Sequence, residues 1–329
     1  MSRPHAIVIG ASSGGVAALL QIAAALPKDL PAVVGVVLHV GNQPSILPDL
    51  LSARGPLPAV HAAHGQALRP GTIYVAPPDH HVLFTADAVR LSHGPRENHA
   101  RPAIDPLFRS AALHWRERAV GVVLTGDLDD GSAGLRAIKE CGGTAVVQDP
   151  ADAVEVSMPA SALASVEVDH CLPLADIGPA LARIVGHEPA PADPLRAEQV
   201  AREQQIFEGN DVMENLDAVG RHSSLTCPEC GGSLWELKDA RPLRYRCHTG
   251  HAYTARSLEF AQSEGAEQAL WSSVRSLKER EMLLRRLANV AQATGDSAQA
   301  EAGRVQADRV GAQAEELAQL LVSDALKST

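Results

Sequence analysis

Aromatic residues, cysteines and long hydrophobic runs are all scarce in this sequence. Phe, Trp and Tyr make up 3% of the 329 residues, so Ala, Val, Leu and Ile must fill the core, as is typical of α/β proteins. The longest apolar runs, such as residues 31–40, reach about half of the roughly 18 residues that a membrane-spanning helix needs. Five cysteines, three of them within residues 227–247, do not make the disulfide framework of a small secreted protein. We therefore expect a soluble, cytoplasmic protein.

The chain also lacks an excess of basic residues. Its formal net charge is −10 at pH 7, which argues against nucleic acid or an anionic membrane surface as the main partner. Apolar residues make up 45% of the chain, and a length of 329 residues fits two domains better than one. The composition therefore predicts a globular protein with a sizeable core and no membrane insertion.

Residues 1–186 alternate short runs of Val, Ile and Leu with helical patterns. Strand-like runs occur at residues 5–10, 32–39, 72–76, 119–125, 144–148 and 168–172. Helix-like segments occur at residues 16–26, 104–114, 132–140 and 177–185. This alternation predicts an α/β fold with a doubly wound, mainly parallel sheet covered on both faces, and residues 82–91 predict an added hairpin. We expect Cys141 and Cys171, which lie in this apolar domain, to be core residues.

The composition changes after this first domain. Residues 187–199 are rich in Pro and Ala and predict a linker, residues 200–255 hold the crowded cysteines, and residues 256–329 are rich in Ala, Glu, Gln and Arg. We expect the last segment to form a helical hairpin or coiled coil that binds a second copy of the chain or another signalling protein. Its apolar stripe comprises Leu270, Val274, Leu277, Leu284 and Leu287, then, after a break at Gly295-Asp296, Leu317, Leu320 and Leu321.

The first strand-like run ends in Gly-Ala-Ser-Ser-Gly at residues 10–14, which matches the Gly-x-Ser-x-Gly nucleophile elbow. A sharp turn from strand to helix would expose the hydroxyl of Ser12 at the edge of the sheet. The following helix would point its positive end at this position, where the backbone N–H of Ser13 could stabilise an oxyanion. The same residues could cradle a phosphate, and they are similar to the cofactor loop of short-chain dehydrogenases.

The dehydrogenase alternative requires a catalytic Tyr followed four residues later by Lys. None of the three tyrosines has Lys at that position, because Tyr74, Tyr245 and Tyr253 are followed there by Pro78, Thr249 and Ser257. The sequence therefore excludes this alternative.

A serine nucleophile needs a base and an orienting acid within reach. The run at residues 32–39 ends in His39, and the run at residues 119–125 is followed by Asp127, Asp129 and Asp130. The carboxyl ends of the strands in an open α/β sheet form one edge, so these side chains should meet there. Taken singly, the histidine could be a core residue, and the aspartates could be a helix cap or a magnesium site. The spacing does not choose among the three aspartates.

Six stretches, in order, resemble the catalytic domain of chemotaxis protein-glutamate methylesterases. They are IGASSGG at residues 9–15, VLH at 37–39, RPAIDPLF at 101–108, LTGDLDDG at 124–131, QD at 148–149 and MP at 158–159. The resemblance covers residues 5 to about 186. It implies that Ser12 is the nucleophile, His39 the general base and acid, and Asp130 the orienting carboxylate.

The resemblance implies a hydrolase that removes methyl esters from glutamate side chains of chemoreceptors and releases methanol. Deamidation of receptor glutamines is a related activity of the family. No cofactor for catalysis is implied, and the partner would be the cytoplasmic domain of a methylated receptor. Because the three catalytic candidates precede the linker, we expect a chain that ends near residue 190 to keep its active-site geometry.

Two departures from the family leave a second function open. The family usually carries a receiver domain before the catalytic domain, whereas the first strand here begins at residue 5, and Asp127 stands where the family commonly has a methionine. A charge beside the oxyanion would oppose the negative charge that develops there. The alternative function is a catalytically weak adaptor that binds partners through the helical tail.

A second group of residues has the spacing of zinc ligands. Cys227 and Cys230 form a Cys-x-x-Cys pair, Cys247 follows after sixteen residues, and His251 follows after three more. Four such ligands can surround zinc tetrahedrally, and a site with four protein ligands is structural. The sequence thus predicts a zinc-ribbon-like module, with His248 as a competing fourth ligand. The alternative is a set of reduced cysteines in a small core.

Overall fold

The structure is a computed structural model that describes residues 3–39, 44–189, 197–238 and 241–325. The chain packs as two compact units, residues 1–258 and residues 259–329. Residues 190–196 of the predicted linker lie outside the described residues. The first unit therefore contains the predicted α/β domain together with the cysteine-rich segment that follows it.

A seven-stranded sheet forms the centre of the first unit, and all of its strands are parallel. In spatial order they are β3 (Ala59–His61), β4 (Ile73–Val75), β2 (Ala32–Leu38), β1 (His5–Ala11), β7 (Ala119–Val123), β8 (Thr144–Gln148) and β9 (His170–Leu172). Strands β1, β2 and β7 are buried along their whole length, because helices cover both faces. Strands β2 and β7 lie on opposite sides of β1, so the order of the strands reverses direction at β1. In α/β folds, ligand-binding crevices form where the strand order reverses in this way.

Helices pack on both faces of this sheet. They are α1 (Gly15–Ala25), α2 (Leu47–Arg54), α3 (Ile104–Trp115), α4 (Ser132–Glu140), α5 (Ser157–Ser165) and α6 (Leu174–Val185). Alternate side chains of β1 enter two cores, because Ala6 and Val8 share a core with α3 and α4, whereas Ile7 and Ile9 share one with α1 and α6. The doubly wound, mainly parallel α/β fold predicted from the sequence is confirmed.

Some details differ from the sequence-based expectation. The hairpin of β5 (His81–Phe84) and β6 (Val89–Ser92) forms its own two-stranded antiparallel sheet, and β5 packs on α3. The sequence patterns did not indicate α2, β3 or α5, which are short. Cys141 is buried as expected, but Cys171 is exposed because it lies on the edge strand β9.

The rest of the first unit holds two helices and an antiparallel sheet. They are α7 (Glu198–Glu208), α8 (Val212–Val219), β10 (Gly220–Thr226), β11 (Ser233–Leu237), β12 (Arg244–Cys247) and β13 (Ala252–Thr254). Buried ion pairs join this part to the α/β part, since Glu97 contacts both Arg109 at 2.7 Å and Arg246 at 2.9 Å. Burial alone would raise the pKa of Glu97, but the two guanidinium groups lower it to about 2.

The second unit, from residue 259 onward, is a helical hairpin of α9 (Ala255–Ala293), whose first four residues belong to the first unit, and α10 (Ser297–Ala325). From Val274 onward, the buried and half-buried positions of α9 follow a heptad pattern and are Val274, Leu277, Glu281, Leu284, Ala288 and Ala291. The buried and half-buried positions of α10 include the heptad series Ala300, Gly303, Ala307, Val310, Ala314, Leu317 and Leu321. The predicted helical tail is confirmed, but Leu270, Leu287 and Leu320 of the predicted stripe are exposed. Within the described ranges, no helix is both long and apolar enough to cross a membrane.

Candidate active site

Ser12 lies in the turn between β1 and α1. Gly14 in this turn has a φ of 77°, a left-handed conformation that glycine adopts without steric cost. The backbone N–H of Ser12 donates to the carbonyl oxygen of Thr125 at 3.0 Å, which fixes the turn against the end of β7. A Cβ atom on Gly126 would lie 2.7 Å from the Cβ atom of Ser12, so only glycine fits there. The half-buried Ser12 is therefore firmly held and still within reach of solvent.

His39 follows β2 at the position beside Ser12. Ala11 pairs with Leu38 in the register of β1 and β2, and the N–H of His39 donates to the carbonyl oxygen of Ala11 at 3.2 Å. The next residues, Ser12 and His39, are therefore neighbours across a strand spacing of about 4.8 Å. In the described part of the chain, no hydrogen bond joins the Ser12 hydroxyl to His39. Bonds between nucleophile and base often tighten only when substrate binds.

The imidazole of His39 is hydrogen-bonded to the carboxylate of Asp130. His39 Nε2 lies 2.9 Å from Asp130 Oδ2. Because Nε2 faces the carboxylate, Nδ1 is the ring nitrogen left to accept a proton from a nucleophile. A carboxylate in this position fixes the ring orientation and stabilises the imidazolium form.

Asp130 is 2% exposed and lies among hydrogen-bond donors. Besides His39, the N–H groups of Ile104 and Gly131 donate to it at 2.7 and 2.9 Å, and the side-chain amide of Asn98 donates at 2.9 Å. Burial on its own would raise the pKa of Asp130, but the bond to His39, its charge and the other donors hold that pKa below its ordinary value. Asp130 is therefore a carboxylate at neutral pH.

The other two aspartates of the cluster have different surroundings. Asp129 is 1% exposed and accepts a hydrogen bond of 2.7 Å from Thr254 Oγ1. Asp127 is exposed, and its carboxylate accepts a hydrogen bond from the hydroxyl of Ser13. Of the three aspartates that the spacing left open, Asp130 is the one in contact with His39.

Backbone N–H groups are available beside Ser12. Among the described residues, the N–H groups of Ser13 and Gly14 have no protein acceptor, and both precede the first turn of α1. The amino end of a helix carries partial positive charge. The turn can therefore stabilise an oxyanion next to the Ser12 hydroxyl.

Sequence reasoning gave no role to two residues that support Asp130. Asn98 donates to both Asp130 and Asp105. Asp105 also holds the start of α4, since its Oδ1 atom accepts from the N–H groups of Gly131 at 3.1 Å and Gly134 at 2.6 Å. Burial and the nearby Asp130 raise the pKa of Asp105 to about 8. The one sequence signal for either residue is that Asp105 lies within the stretch at 101–108.

A protein-family model described as CheB methylesterase matches residues 7–181, which include Ser12, His39 and Asp130. The chain belongs to the CheB methylesterase family. The crystal structure of the CheB methylesterase catalytic domain of Thermotoga maritima is similar to this chain, with a TM-score of 0.54 and 32% identity. That likeness covers 56% of this chain and 100% of the Thermotoga chain.

Curated relatives of the chain carry names from the same family. The chain is 38% identical over 187 residues to a protein-glutamate methylesterase/protein-glutamine glutaminase of Maricaulis maris, which covers 55% of this chain and 47% of that protein. A Leptospira interrogans protein, named as a candidate for the same two activities, is 38% identical over 186 residues and is covered to 94% of its length. The chain thus spans about half the length of the Maricaulis relative and nearly all of the Leptospira one.

The CheB methylesterase match ends before the four candidate metal ligands. The ligand atoms of Cys227, Cys230, Cys247 and His251 all lie within 4.8 Å of one another. The Sγ atoms of Cys230 and Cys247 are 3.7 Å apart, and His251 Nδ1 lies 3.7 and 3.5 Å from the Sγ atoms of Cys227 and Cys247. A tetrahedron with Zn–S and Zn–N bonds of about 2.3 and 2.0 Å has S···S and S···N edges of about 3.8 and 3.5 Å. The four side chains therefore fit zinc.

Glu229 orients the histidine of this cluster. Glu229 Oε2 lies 3.3 Å from His251 Nε2, so the other ring nitrogen, Nδ1, faces the three sulfur atoms. A carboxylate bonded to the outer nitrogen of a histidine ligand is a common feature of zinc sites. His248 is exposed, and its ring lies against Gly232 rather than in the cluster.

Proposed function

We propose that this chain is a protein-glutamate methylesterase that works as a serine hydrolase through Ser12, His39 and Asp130. One observation carries the proposal: Ser12 and His39 follow adjoining strands, and His39 is hydrogen-bonded to the buried carboxylate of Asp130. Membership of the CheB methylesterase family supports the same reaction.

In the first half of the reaction, the Ser12 hydroxyl attacks the carbonyl carbon of a glutamate methyl ester while Nδ1 of His39 takes the hydroxyl proton. The N–H groups of Ser13 and Gly14 would stabilise the oxyanion of the tetrahedral intermediate. His39 then gives the proton to the methoxy oxygen, the C–O bond breaks, and methanol leaves an acyl group on Ser12. Asp130 holds the imidazole in orientation and stabilises its positive charge.

In the second half, His39 removes a proton from water as the water oxygen attacks the acyl carbon. The bond to Ser12 breaks, the serine oxygen takes that proton from His39, and a glutamate carboxyl group is released. A glutamine side chain would follow the same path with ammonia as the leaving group. This path accounts for the second activity in the name of the Maricaulis relative.

The proposed substrate is the cytoplasmic domain of a methylated chemoreceptor, which places the reaction in the cytoplasm. Ser12 directly follows the carboxyl end of β1 and is half-buried, so an ester at the end of a glutamate side chain on another protein can reach it.

The experiment that tests this function measures methanol released from methylated receptor. Wild-type protein should release methanol, and Ser12→Ala should lower the rate by about four or more powers of ten. Ser165→Ala, at the far end of α5, is the matched serine control and should keep the wild-type rate. Equal rates of methanol release by wild type and Ser12→Ala would show that Ser12 takes no part in the reaction.

A weakly active adaptor is the second candidate function. The exposed carboxylate of Asp127 is bonded to Ser13, whose N–H would face the oxyanion. Negative charge near that position opposes the charge that develops during acyl transfer, which favours slow turnover. A serine-directed fluorophosphonate separates the two functions, because it labels only an activated serine.

We also propose that Cys227, Cys230, Cys247 and His251 hold a structural zinc ion. The support is that three of the separations, 3.5 to 3.7 Å, are close to the edges of a zinc tetrahedron, and that all four ligand atoms lie within 4.8 Å of one another. Four protein ligands leave no open position, so the ion would stabilise the β10–β13 sheet and take no part in ester hydrolysis.

For the second unit we propose binding to another protein chain, with a second copy of this chain as the first candidate. Met282, Leu283, Leu287 and Val290 of α9 are each more than half exposed. A group of large apolar side chains on one helix is typical of an interaction surface. Leu283→Glu together with Leu287→Glu should lower the mass seen by sedimentation velocity, whereas the charge control Arg286→Glu should not. The proposal would be contradicted if the double variant kept the wild-type mass and still bound every protein partner of the wild type.

A further inference from the structure

We propose that Thr254 and Ser257, at the end of the zinc-ribbon-like segment, position the catalytic aspartate by holding Asn98, which in turn holds Asp130. This inference rests on the proposed function, because it assigns positioning residues to that site. Thr254 and Ser257 touch neither the substrate nor the reacting atoms. The contacts of Thr254 and Ser257 with Asn98 do not fit the expectation that a chain ending near residue 190 keeps its active-site geometry.

Asn98 uses all of its side-chain hydrogen-bonding capacity. Its Nδ2 group donates to Asp130 Oδ1 at 2.9 Å and to Asp105 Oδ2 at 2.8 Å. Its Oδ1 atom accepts from the N–H of Thr254 and from the hydroxyl of Ser257, both at 3.1 Å. An Asn side chain offers two donor hydrogens and one oxygen with two lone pairs, so these four bonds define its orientation. Asn98 is 8% exposed, so water has little access to replace them.

Thr254 and Ser257 hold each other in place through hydrogen bonds. Thr254 directly precedes α9, and its Oγ1 atom accepts from the N–H of Ser257 at 3.0 Å. The N–H of Thr254 in turn reaches the hydroxyl oxygen of Ser257 at 2.9 Å. These reciprocal bonds have the pattern of a capping box at the start of a helix. Both residues are 1% exposed or less, so the start of α9 is a fixed support.

The same threonine also holds the residue beside Asp130. Thr254 Oγ1 donates to Asp129 Oδ1 at 2.7 Å, and Asp129 directly precedes Asp130. The loop that carries the catalytic aspartate is therefore bound to the start of α9 at two points. One is the side chain of Asn98 and the other is Asp129.

Backbone contacts hold Asn98 in place as well. Its N–H donates to the carbonyl oxygen of Ala252 at 2.8 Å, and the neighbouring Glu97 is paired with the buried Arg246. Asn98 has a φ of 50°, a left-handed conformation that Asn adopts more readily than most residues. The bond to Ala252 attaches the backbone of Asn98 to strand β13.

This support lies next to the proposed zinc site. Strand β13 begins directly after His251 and pairs with β12, which ends at Cys247. Residues 247–257 thus carry two of the four metal-ligand candidates at one end and the support of Asp130 at the other. We expect loss of the cluster to alter the pair of His39 and Asp130, although the cluster contributes no atom to the reaction.

The test compares Thr254→Val with Thr254→Ser in the full chain. Valine has the shape of threonine but removes the bonds to Asp129 and Ser257, whereas serine keeps the hydroxyl. On a small methyl ester, Thr254→Val should lower kcat about tenfold at unchanged KM, and Thr254→Ser should stay within about twofold of wild type. The proton NMR signal of His39 Nε2–H, assigned with isotope-labelled histidine, should shift in Thr254→Val and not in Thr254→Ser.

Helix content by circular dichroism, Tm and zinc per chain identify a general loss of fold. Thr254→Val keeps the backbone N–H that bonds Asn98, so Ser257→Ala, which removes one bond to Asn98, completes the test. Folded Thr254→Val and Ser257→Ala proteins that both keep the wild-type kcat and His39 signal would overturn the proposal. If Thr254→Val does not fold, Ser257→Ala alone decides. If the wild type lacks esterase activity, the proposed function fails, yet the His39 signal still decides whether Thr254 positions Asp130.

Discussion

His39 and Asp130 are 91 residues apart in the chain, and a hydrogen bond of 2.9 Å between Nε2 and Oδ2 joins them. His39 follows β2 and Asp130 follows β7, and these strands flank β1 on its two sides. The pair therefore spans the end of β1, where Ser12 lies. Since Nε2 faces the carboxylate, Nδ1 is the ring nitrogen left to accept a proton.

Replacement of Asp130 by Asn tests this orientation. We expect Asp130→Asn to lower kcat about 10⁴-fold, because an amide favours the tautomer whose Nδ1 carries a proton and so does not accept one from Ser12. KM should change little. Steady-state kinetics on a small methyl ester measure both values. Asp87→Asn, in the exposed turn of the β5–β6 hairpin, is the control and should keep the wild-type kcat. An Asp130→Asn enzyme with undiminished kcat would contradict the assignment.

The charge of Asp127 should slow the reaction modestly. Its carboxylate is exposed, so solvent weakens its effect on the oxyanion, and we expect Asp127→Asn to raise kcat by less than about fivefold. The gain should shrink as ionic strength rises, because salt screens exposed charges. The measurement is kcat for wild type and variant at low and high salt. A lower kcat in the variant would show that Asp127 assists the reaction instead.

Asp105 should make stability depend on pH. Burial and the nearby Asp130 raise the pKa of Asp105 from 3.8 to about 8, so the folded chain keeps a proton that the unfolded chain has lost. Its contribution to the free energy of unfolding is therefore fully present below about pH 4 and is lost as the pH rises to about 8. Asp105→Asn should remove this part of the decline in the free energy of unfolding with rising pH. Urea unfolding of wild type and variant between about pH 5 and pH 8.5 measures the difference. Parallel curves would contradict the raised pKa.

The metal site predicts about one zinc per chain by elemental analysis of protein purified without chelator. Cys227→Ser should lose most of the zinc. Cys171→Ser, which changes an exposed cysteine outside the cluster, should keep it. Glu229→Gln should weaken zinc affinity by about tenfold or more, because it alters the partner of His251 Nε2. A wild-type protein free of zinc would end this proposal.

Much of the fold follows from patterns in the sequence. The strands around Ser12 and His39 are uniformly apolar, so their positions, and the meeting of their carboxyl ends, can be read from the chain. The choice of Asp130 over its neighbours depends on the loop after β7, where Leu128 has a φ of 61°. No periodicity indicates that conformation, and the family resemblance was needed to select the residue.

The support of Asp130 could not be predicted from the sequence. Asn98 and Thr254 are 156 residues apart and meet through single hydrogen bonds between a loop and the start of a helix. Such contacts leave no periodic pattern. Composition indicated a linker after residue 186, yet buried ion pairs such as Glu97 with Arg246 join the segments on either side of it into one unit.

Labelling with a fluorophosphonate, followed by peptide mass spectrometry, tests most directly whether Ser12 is an activated nucleophile. The wild type should carry the phosphonyl adduct on Ser12 and not on Ser13, and His39→Ala should label far more slowly because the proton acceptor is gone. Ser165→Ala should label like the wild type. An unlabelled Ser12 in folded wild-type protein that still binds methylated receptor would contradict the hydrolase and favour the adaptor.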